Sequence, residues 1–245
     1  MPLPQFALPL DHASHPVTAL LVKSFHDVCL TLASWPKVAV DFVEADVWRW
    51  VATNHRNNCL LWDEEDLARR TRATDADITA NKRAIDGYNQ ARNDATERVD
   101  EFLLLSLGLI DAATAKSDQP VAKVSASARL NSETAGSMMD RMSIMSLKIK
   151  AMTAQTLRTD VDGAHRASSA LKLQRLHEQR NDLGACLDQL LADSHAGTAY
   201  FKVYRQFKMY NDPRFNPVLV AELAAANSQE HIAASLQQQA LSAQQ

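Results

Sequence analysis

The sequence predicts an all-α protein, an antiparallel helical bundle of about six to eight helices with two long central helices. Apolar residues recur every three or four positions over long stretches, which is the spacing of one helix face. The chain has only six glycines and eight prolines in 245 residues, too few to punctuate many short strands. We therefore expect one helical core and no extended sheet.

The first helix is predicted near residues 17–33, ending at Trp35-Pro36. Its inward-facing residues are expected to be Leu20, Leu21, Phe25 and Val28. A second helix is expected near 41–54, with Asn57-Asn58 as a break and a short acidic-to-basic helix continuing through Arg70. Trp48, Trp50 and Trp62 are expected to lie in the core or an interface, although an aromatic face can also stack on a sugar.

Two longer helices follow. Thr74 or Asp75 is a suitable N-cap for a helix running to about residue 107, with Gly108 at its end. Residues 111–130 are expected to form a mobile connection, and Ser132 to cap the next helix. Methionines and Ile149 recur there at heptad-like spacing, which indicates a packed core face or an adaptable groove: Met138, Met142, Met145 and Met152. The helical pattern resumes near residues 164–192.

The predicted domain limits follow from these patterns. Residues 1–16 are a proline-punctuated irregular leader, and residues 17–220 form a single helical domain. Residues 221–245 are rich in alanine and glutamine, which predicts a frayed helix or a disordered tail.

Charge and cysteine usage narrow the class of protein. The formal net charge of −3 provides no overall field for nucleic acid, so no nucleic-acid partner is expected. The three cysteines are widely spaced and form no CxxC motif, which is typical of a reducing compartment. No 18-residue apolar segment or signal-peptide pattern occurs, so we expect a cytoplasmic protein without a membrane span.

One long helix carries more polar residues beside its core face than packing requires. Ile85, Tyr88, Ala95 and Val99 define an apolar stripe in residues 78–102. A polar stripe runs alongside it, made of Lys82, Asp86, Asn89, Asn93, Glu97 and Asp100. Asparagine is a poor interior helix former because its amide competes for backbone partners, so this pattern favours a binding site or a buried polar network.

Part of this helix has an echo 88 residues later. Arg92-Asn93-Asp94 followed by Asp100 matches Arg180-Asn181-Asp182 followed by Asp188. The two long helices can be structurally equivalent through duplication, or the match can arise by chance in a helical protein.

Four segments together resemble a bacterial domain-of-unknown-function family. They are LWDEEDLAR at 61–69, KRAIDGYNQARND at 82–94, NSETAGSMMDR at 131–141 and KMYNDP at 208–213. Members of that family are often encoded beside glycosyltransferases of lipopolysaccharide and other surface-glycan synthesis. The resemblance implies a helical cytoplasmic protein linked to envelope sugar metabolism, and it supplies no reaction or catalytic residue.

Acidic pairs raise the possibility of a metal site. Asp63 and Asp66 are three residues apart, as are Glu97 and Asp100. Such oxygen ligands suit Mg²⁺, and the spacing resembles the helical nucleotide pyrophosphohydrolases, although the first pair here is Asp with Asp. We take Asp66, Glu97 and Asp100 as the candidate metal ligands and Mg²⁺ as the possible cofactor.

The resulting hypothesis is a cytoplasmic protein that binds a phosphorylated or nucleotide-linked sugar in surface-glycan synthesis, as a possible transferase or hydrolase. Glu97 and Asp66 are the candidate catalytic residues, and the phosphate-binding and orienting candidates are Lys82, Asn89, Arg92, Asn93, Asp140 and Arg141. Asp140 and Arg141 follow a helix start whose N–H groups can receive an anion. The alternatives are a metal-dependent pyrophosphohydrolase-like enzyme and a non-catalytic partner of a glycosyltransferase that docks through its methionine-rich and aromatic surfaces.

Overall fold

The computed structural model describes residues 17–39, 47–206 and 214–242, with side chains described to residue 229. In those residues it contains six α-helices and two strands of two residues each. Their bounds are α1 Ala19–Cys29, α2 Val47–Ala68, α3 Asp75–Ser106, β1 Arg129–Leu130, α4 Ala135–Thr156, α5 Gly163–His195, β2 Ala199–Tyr200 and α6 Pro217–Ser242. The all-α class and the two long helices are confirmed, since α3 has 32 residues and α5 has 33.

The chain divides into two units, residues 1–205 and 206–245. The first unit holds α1 to α5 and the strand pair, and the second holds α6. The predicted limit of the helical domain at residue 220 stays a prediction, and the predicted leader 1–16 lies outside the described residues. None of the helices among the described residues is long and apolar enough to cross a membrane.

The first unit is built from two helical hairpins of matching size. Helices α4 and α5 begin 88 residues after α2 and α3, and α2 and α4 are both 22 residues long. The N-caps Thr74 and Asp162 are also 88 residues apart, and each accepts a hydrogen bond from the backbone three residues on. Gly108 and Gly197 follow α3 and α5 with φ of 69° and 71°, the left-handed conformation of a helix C-terminus. The two hairpins are therefore structurally equivalent, as the echo in the sequence suggested.

Each hairpin holds the start of another helix with an equivalent carboxylate. Asp100 on α3 accepts a hydrogen bond from the Gly136 N–H at the start of α4, at 2.7 Å. Asp188 on α5 accepts one from the Ala19 N–H at the start of α1, also at 2.7 Å. A carboxylate at a helix N-terminus satisfies an otherwise unpaired N–H and interacts favourably with the helix dipole. The first hairpin therefore binds the start of α4, and the second binds the start of α1.

The core lies between these helices. Its fully buried side chains include Val22 of α1, Val51 of α2, Leu104 of α3, Met142 of α4 and Leu187 of α5. The parallel pairing of β1 with β2 ties the segment before α4 to the segment after α5. Two members of the methionine stripe pack in the core, since Met138 and Met142 are only 5% and 0% exposed, whereas Met145 and Met152 are half-buried.

Three local predictions are corrected. Leu20 and Val28 are exposed, because α1 buries the Ala19, Val22, Phe25 and Cys29 stripe of the same helix. Helix α2 continues through Asn57-Asn58, which are buried inside it, so no separate short helix follows. The N-cap of α4 is Thr134 in place of Ser132, with Thr134 Oγ1 accepting from the Ser137 N–H at 3.1 Å.

The α3–α4 contact depends on a glycine. A Cβ added at Gly136 would lie 2.5 Å from the Thr96 carbonyl oxygen, whereas one at Gly87 of α3 would meet nothing within 4 Å. We expect Gly136→Ala to lower the free energy of unfolding by about 2–3 kcal/mol, because α4 must move away from α3. Gly87→Ala should raise it by up to about 1 kcal/mol through helix propensity. Urea unfolding measures both, and equal effects at the two glycines would contradict this packing.

Candidate functional site

A cleft of about 420 Å³ opens between α2, α3 and α4, and we call it the Arg92 cleft. Its polar lining consists of Asn58, Glu65, Asp66, Arg69, Asn89 and Arg92. Its apolar lining consists of Leu61, Trp62, Ile144 and Leu147. The volume lies within the range of small-molecule sites, and convergent polar groups over an apolar wall are typical of such sites.

Arg92 is held at the inner end of this polar surface. Its side chain is 25% exposed, and its Nε lies 3.9 Å from Asp140 Oδ1. Its Nη2 donates to Asn93 Oδ1 at 3.3 Å. These contacts fix the guanidinium while using only part of its five N–H donors, so the remaining donors can bind a ligand oxygen.

Behind Arg92, Asp140 belongs to a buried hydrogen-bond network. Asn54 and Asn58 donate to Asp140 Oδ1 at 2.8 and 2.9 Å. Asn58 also donates to Ser143 Oγ at 3.0 Å, and His55 Nδ1 lies 2.8 Å from the same hydroxyl. Since the amides of α2 satisfy the carboxylate and hydroxyl of α4, this network fixes the wall of the cleft.

Two stacked histidines lie at the inner end of the network. The rings of His26 and His55 are 4.4 Å apart, and both residues are 0% exposed. Burial lowers the pKa of His55 to about 3, against a smaller opposite effect of the His26 backbone. Burial, followed by the charges of His55 and Arg180, holds the pKa of His26 well below its ordinary value. Both rings are therefore neutral near pH 7, and neither His26 nitrogen has a hydrogen-bond partner among the described residues.

These histidines make the fold sensitive to acid. Their folded pKa values lie below the unfolded value of about 6.5, so the unfolded state binds the extra protons and stability falls as pH drops below about 6.5. Asp100 opposes this, because burial raises its pKa to about 7 and the fold favours its protonated form. The two histidines together exceed the single opposing effect of Asp100, so we expect a net loss of stability between about pH 6 and 5.

We expect His26→Leu to remove most of that acid dependence and to raise the free energy of unfolding at pH 7 by about 1–3 kcal/mol. It deletes a buried polar ring whose nitrogens are unpaired among the described residues, and such groups are costly. His55→Leu is the matched comparison, and it should destabilise because it leaves the Ser143 contact unmade. Urea unfolding at several pH values measures both. A destabilised His26→Leu protein would show that the ring has an essential partner.

The structure brings several of the predicted site residues together. Asp66 and Asn89 line the cleft with Arg92, and Asp140 contacts Arg92 from behind. Asn93 adjoins Arg92 through the hydrogen bond described above. Other predicted residues lie elsewhere: Lys82 is exposed and pairs with Asp86, and Arg141 pairs with Glu133 at 2.5 Å beside a separate groove of about 950 Å³.

The three candidate metal ligands are not brought together. Asp66 lines the cleft, whereas Glu97 Oε2 lies 3.2 Å from the Arg205 guanidinium and Asp100 is committed to Gly136. In the described residues, no group of three or more His, Cys, Asp or Glu side chains is placed to hold a metal ion. The N–H at the start of α4 that was expected to receive an anion is instead bound by the Asp100 side chain.

Sequence reasoning missed the contribution of α2. Asn54, His55 and Asn58 form the network, and Trp62 lines the cleft, yet Asn57-Asn58 was taken as a helix break. The available signal was five consecutive polar residues, at positions 54–58, in a helix whose flanks are apolar. Such a run inside a helix requires hydrogen-bond partners on a neighbouring element.

Residues 48–203 match the family described as Protein of unknown function (DUF4254). The chain belongs to this family. The DUF4254 match includes α3, α4, α5, nearly all of α2 and every residue of the Arg92 cleft, whereas α1 with His26 lies outside it. No curated protein and no solved structure matches the chain.

Proposed function

We propose that this DUF4254 protein binds a phosphorylated or nucleotide-linked sugar in the Arg92 cleft. The observation that carries the proposal is the convergence of Asp66 from α2 with Asn89 and Arg92 from α3, beside Trp62. The biological setting we propose, cytoplasmic surface-glycan synthesis, rests on the resemblance noted from the sequence.

The lining suits the hydroxyl groups of a sugar. The carboxylates of Glu65 and Asp66 accept hydrogen bonds from sugar hydroxyls, and the amides of Asn58 and Asn89 both donate and accept. The Trp62 indole offers an apolar surface for a sugar ring. Arg92 supplies a positioned cation for a ligand oxygen, because its own fixed contacts use Nε and Nη2.

If the protein is a transferase or hydrolase, Asp66 is the residue we assign as general base. It lies in the cleft with the binding groups, whereas Glu97 is occupied by Arg205. A general base must reach the proton that it removes, so position decides between the two candidates.

The methionine surface proposed for a glycosyltransferase partner is not exposed. A glycosyltransferase was expected to dock on an exposed Met138, Met142 and Met145 face, but the first two side chains are buried and the third is half-buried against the core. The described residues offer no three-ligand metal group for the pyrophosphohydrolase alternative. Binding of a small ligand in the cleft therefore has the better support.

We expect Arg92→Ala to weaken binding of nucleotide-linked sugars by about 10–100-fold, the effect of losing one or two charge-assisted hydrogen bonds. Stability should change little, because Asp140 keeps its two asparagine donors. Lys82→Ala is the matched control, since it removes an equal charge from the same helix outside the cleft lining. Isothermal titration calorimetry with a panel of nucleotide-linked sugars measures both, and an equal loss in the two variants would place the ligand elsewhere.

We also expect Mg²⁺ to leave this binding unchanged, because Asp66, Glu97 and Asp100 are committed to separate surroundings. The measurement is the same titration in the presence of Mg²⁺ and of a chelator. Binding that requires Mg²⁺ and is abolished by Asp66→Asn would instead support the metal-dependent alternative.

A further inference from the structure

A second depression adjoins the Arg92 cleft, and we call it the α4–α5 groove. It measures about 450 Å³ and lies between α4, α5 and Trp62. The α4 residues are Lys148, Ala151, Met152 and Gln155, and the α5 residues are Lys172, Arg175, Leu176 and Gln179. Each set follows the i, i+3, i+4, i+7 spacing of one helix face, so two continuous helix faces form the walls.

The floor of the groove is apolar. Ala151, Met152, Leu176 and Trp62 line it, and all four are half-buried. A flat ring can pack between an indole, a thioether and a leucine, since such side chains bind aromatic groups well. Gln179 adds an exposed amide, which can donate to and accept from the edge of a ring with hydrogen-bonding atoms.

The rim of the groove is positively charged. Lys148, Lys172 and Arg175 are exposed, and none of them forms an ion pair with a carboxylate of the described residues. No aspartate or glutamate lines the groove. A phosphate can therefore bind these cations without breaking an existing ion pair, and Lys and Arg are the usual phosphate-binding side chains.

The Arg92 cleft differs in this respect. Arg69 pairs with Glu65 at 2.9 Å, and Arg92 faces Asp140, so its cations are already opposed by carboxylates. The two depressions therefore differ in charge. The cleft has carboxylates that can bind hydroxyl groups, whereas the groove has cations and no carboxylate in its lining. Trp62 lines both depressions, and the adjacent residues Leu147 and Lys148 belong to the cleft and the groove respectively.

We propose that the α4–α5 groove binds the nucleoside diphosphate portion of a nucleotide-linked sugar whose sugar lies in the Arg92 cleft, with Trp62 between the two portions. The base packs on the apolar floor and the phosphates bind Lys148, Lys172 and Arg175. This inference rests on the proposed function and specifies its ligand class, because a sugar phosphate without a base would leave the groove unused.

The test is titration calorimetry of the full chain with ADP, GDP, UDP and CDP. We expect at least one of them to bind, and the double variant Lys172→Glu with Arg175→Glu to weaken it at least tenfold. Lys116→Glu with Lys202→Glu makes the same charge change at two exposed residues outside the groove lining and should have little effect. Arg92→Ala should also leave nucleoside diphosphate binding nearly unchanged while it weakens binding of the corresponding nucleotide-linked sugar.

The outcomes separate the two proposals. If nucleotide-linked sugars bind through Arg92 but the groove variant binds them as well as the wild type, the groove inference is wrong and the proposed function stands. If nucleoside diphosphates bind through the groove but Arg92→Ala does not affect any sugar-linked form, the groove is supported and the cleft proposal is wrong. The groove inference is overturned if none of the four nucleotides binds. It is also overturned if a lysophosphatidic acid, titrated in the same way, binds more tightly than any nucleotide.

Discussion

The close contact between α3 and the start of α4 is the constraint on which the rest of the first unit depends. At Gly136 the backbone of α4 lies so near the Thr96 carbonyl that a methyl group has no room, and the Gly136 N–H is bound by Asp100. This contact sets how far α4 lies along the first hairpin. Asp140 comes one turn later on α4, where Asn54, Asn58 and Arg92 reach it, so the position of the cleft wall follows from the contact at Gly136.

The second hairpin has the same arrangement of a carboxylate at a helix start, but it binds α1 where the first hairpin binds α4. Asp188 binds the start of α1. Arg180 donates to the two carboxylate oxygens of Asp27 on α1 from its terminal nitrogens Nη1 and Nη2, at 2.5 and 3.0 Å. Arg180 is 7% exposed and also donates to Ser146, so here both terminal nitrogens of the arginine serve to join helices. Its equivalent Arg92 has a looser carboxylate contact and borders a cleft. The same residue type in equivalent positions is structural in one hairpin and available to a ligand in the other.

Buried polar groups connect the core to the candidate site. His55 contacts Ser143, which accepts from Asn58, and Asn58 also binds Asp140 behind Arg92. Such a network is favourable only when its members are paired, and the ring of His26, stacked on His55, is one of the buried groups without a hydrogen-bond partner among the described residues. Burying these polar groups costs free energy. In return, their hydrogen bonds define the position of α2 against α4 more strictly than an apolar interface would.

The sequence by itself determined the features that local interactions control. The start of α3 follows from the Thr74 and Asp77 capping box, its end from Gly108, and the burial of Met138 and Met142 from helical periodicity. The 88-residue echo left duplication and chance open, and the matching bounds of the helices favour equivalence. These signals lie within a few turns of the residues they describe, or repeat at a fixed offset, so one sequence was sufficient to find them.

Only the tertiary structure decided which polar residues meet. Asn58 continues a helix where a break was expected, because its amide is bound by Asp140 and Ser143, more than 80 residues away. Glu97 and Asp100 share a helix face in sequence, yet Arg205 takes one and Gly136 the other. Trp62 acquires its place between the cleft and the groove from the packing of α4. Helical periodicity fixes the side of a helix on which a residue lies, but the partner on that side depends on how distant helices pack, and local sequence does not encode this in readable form.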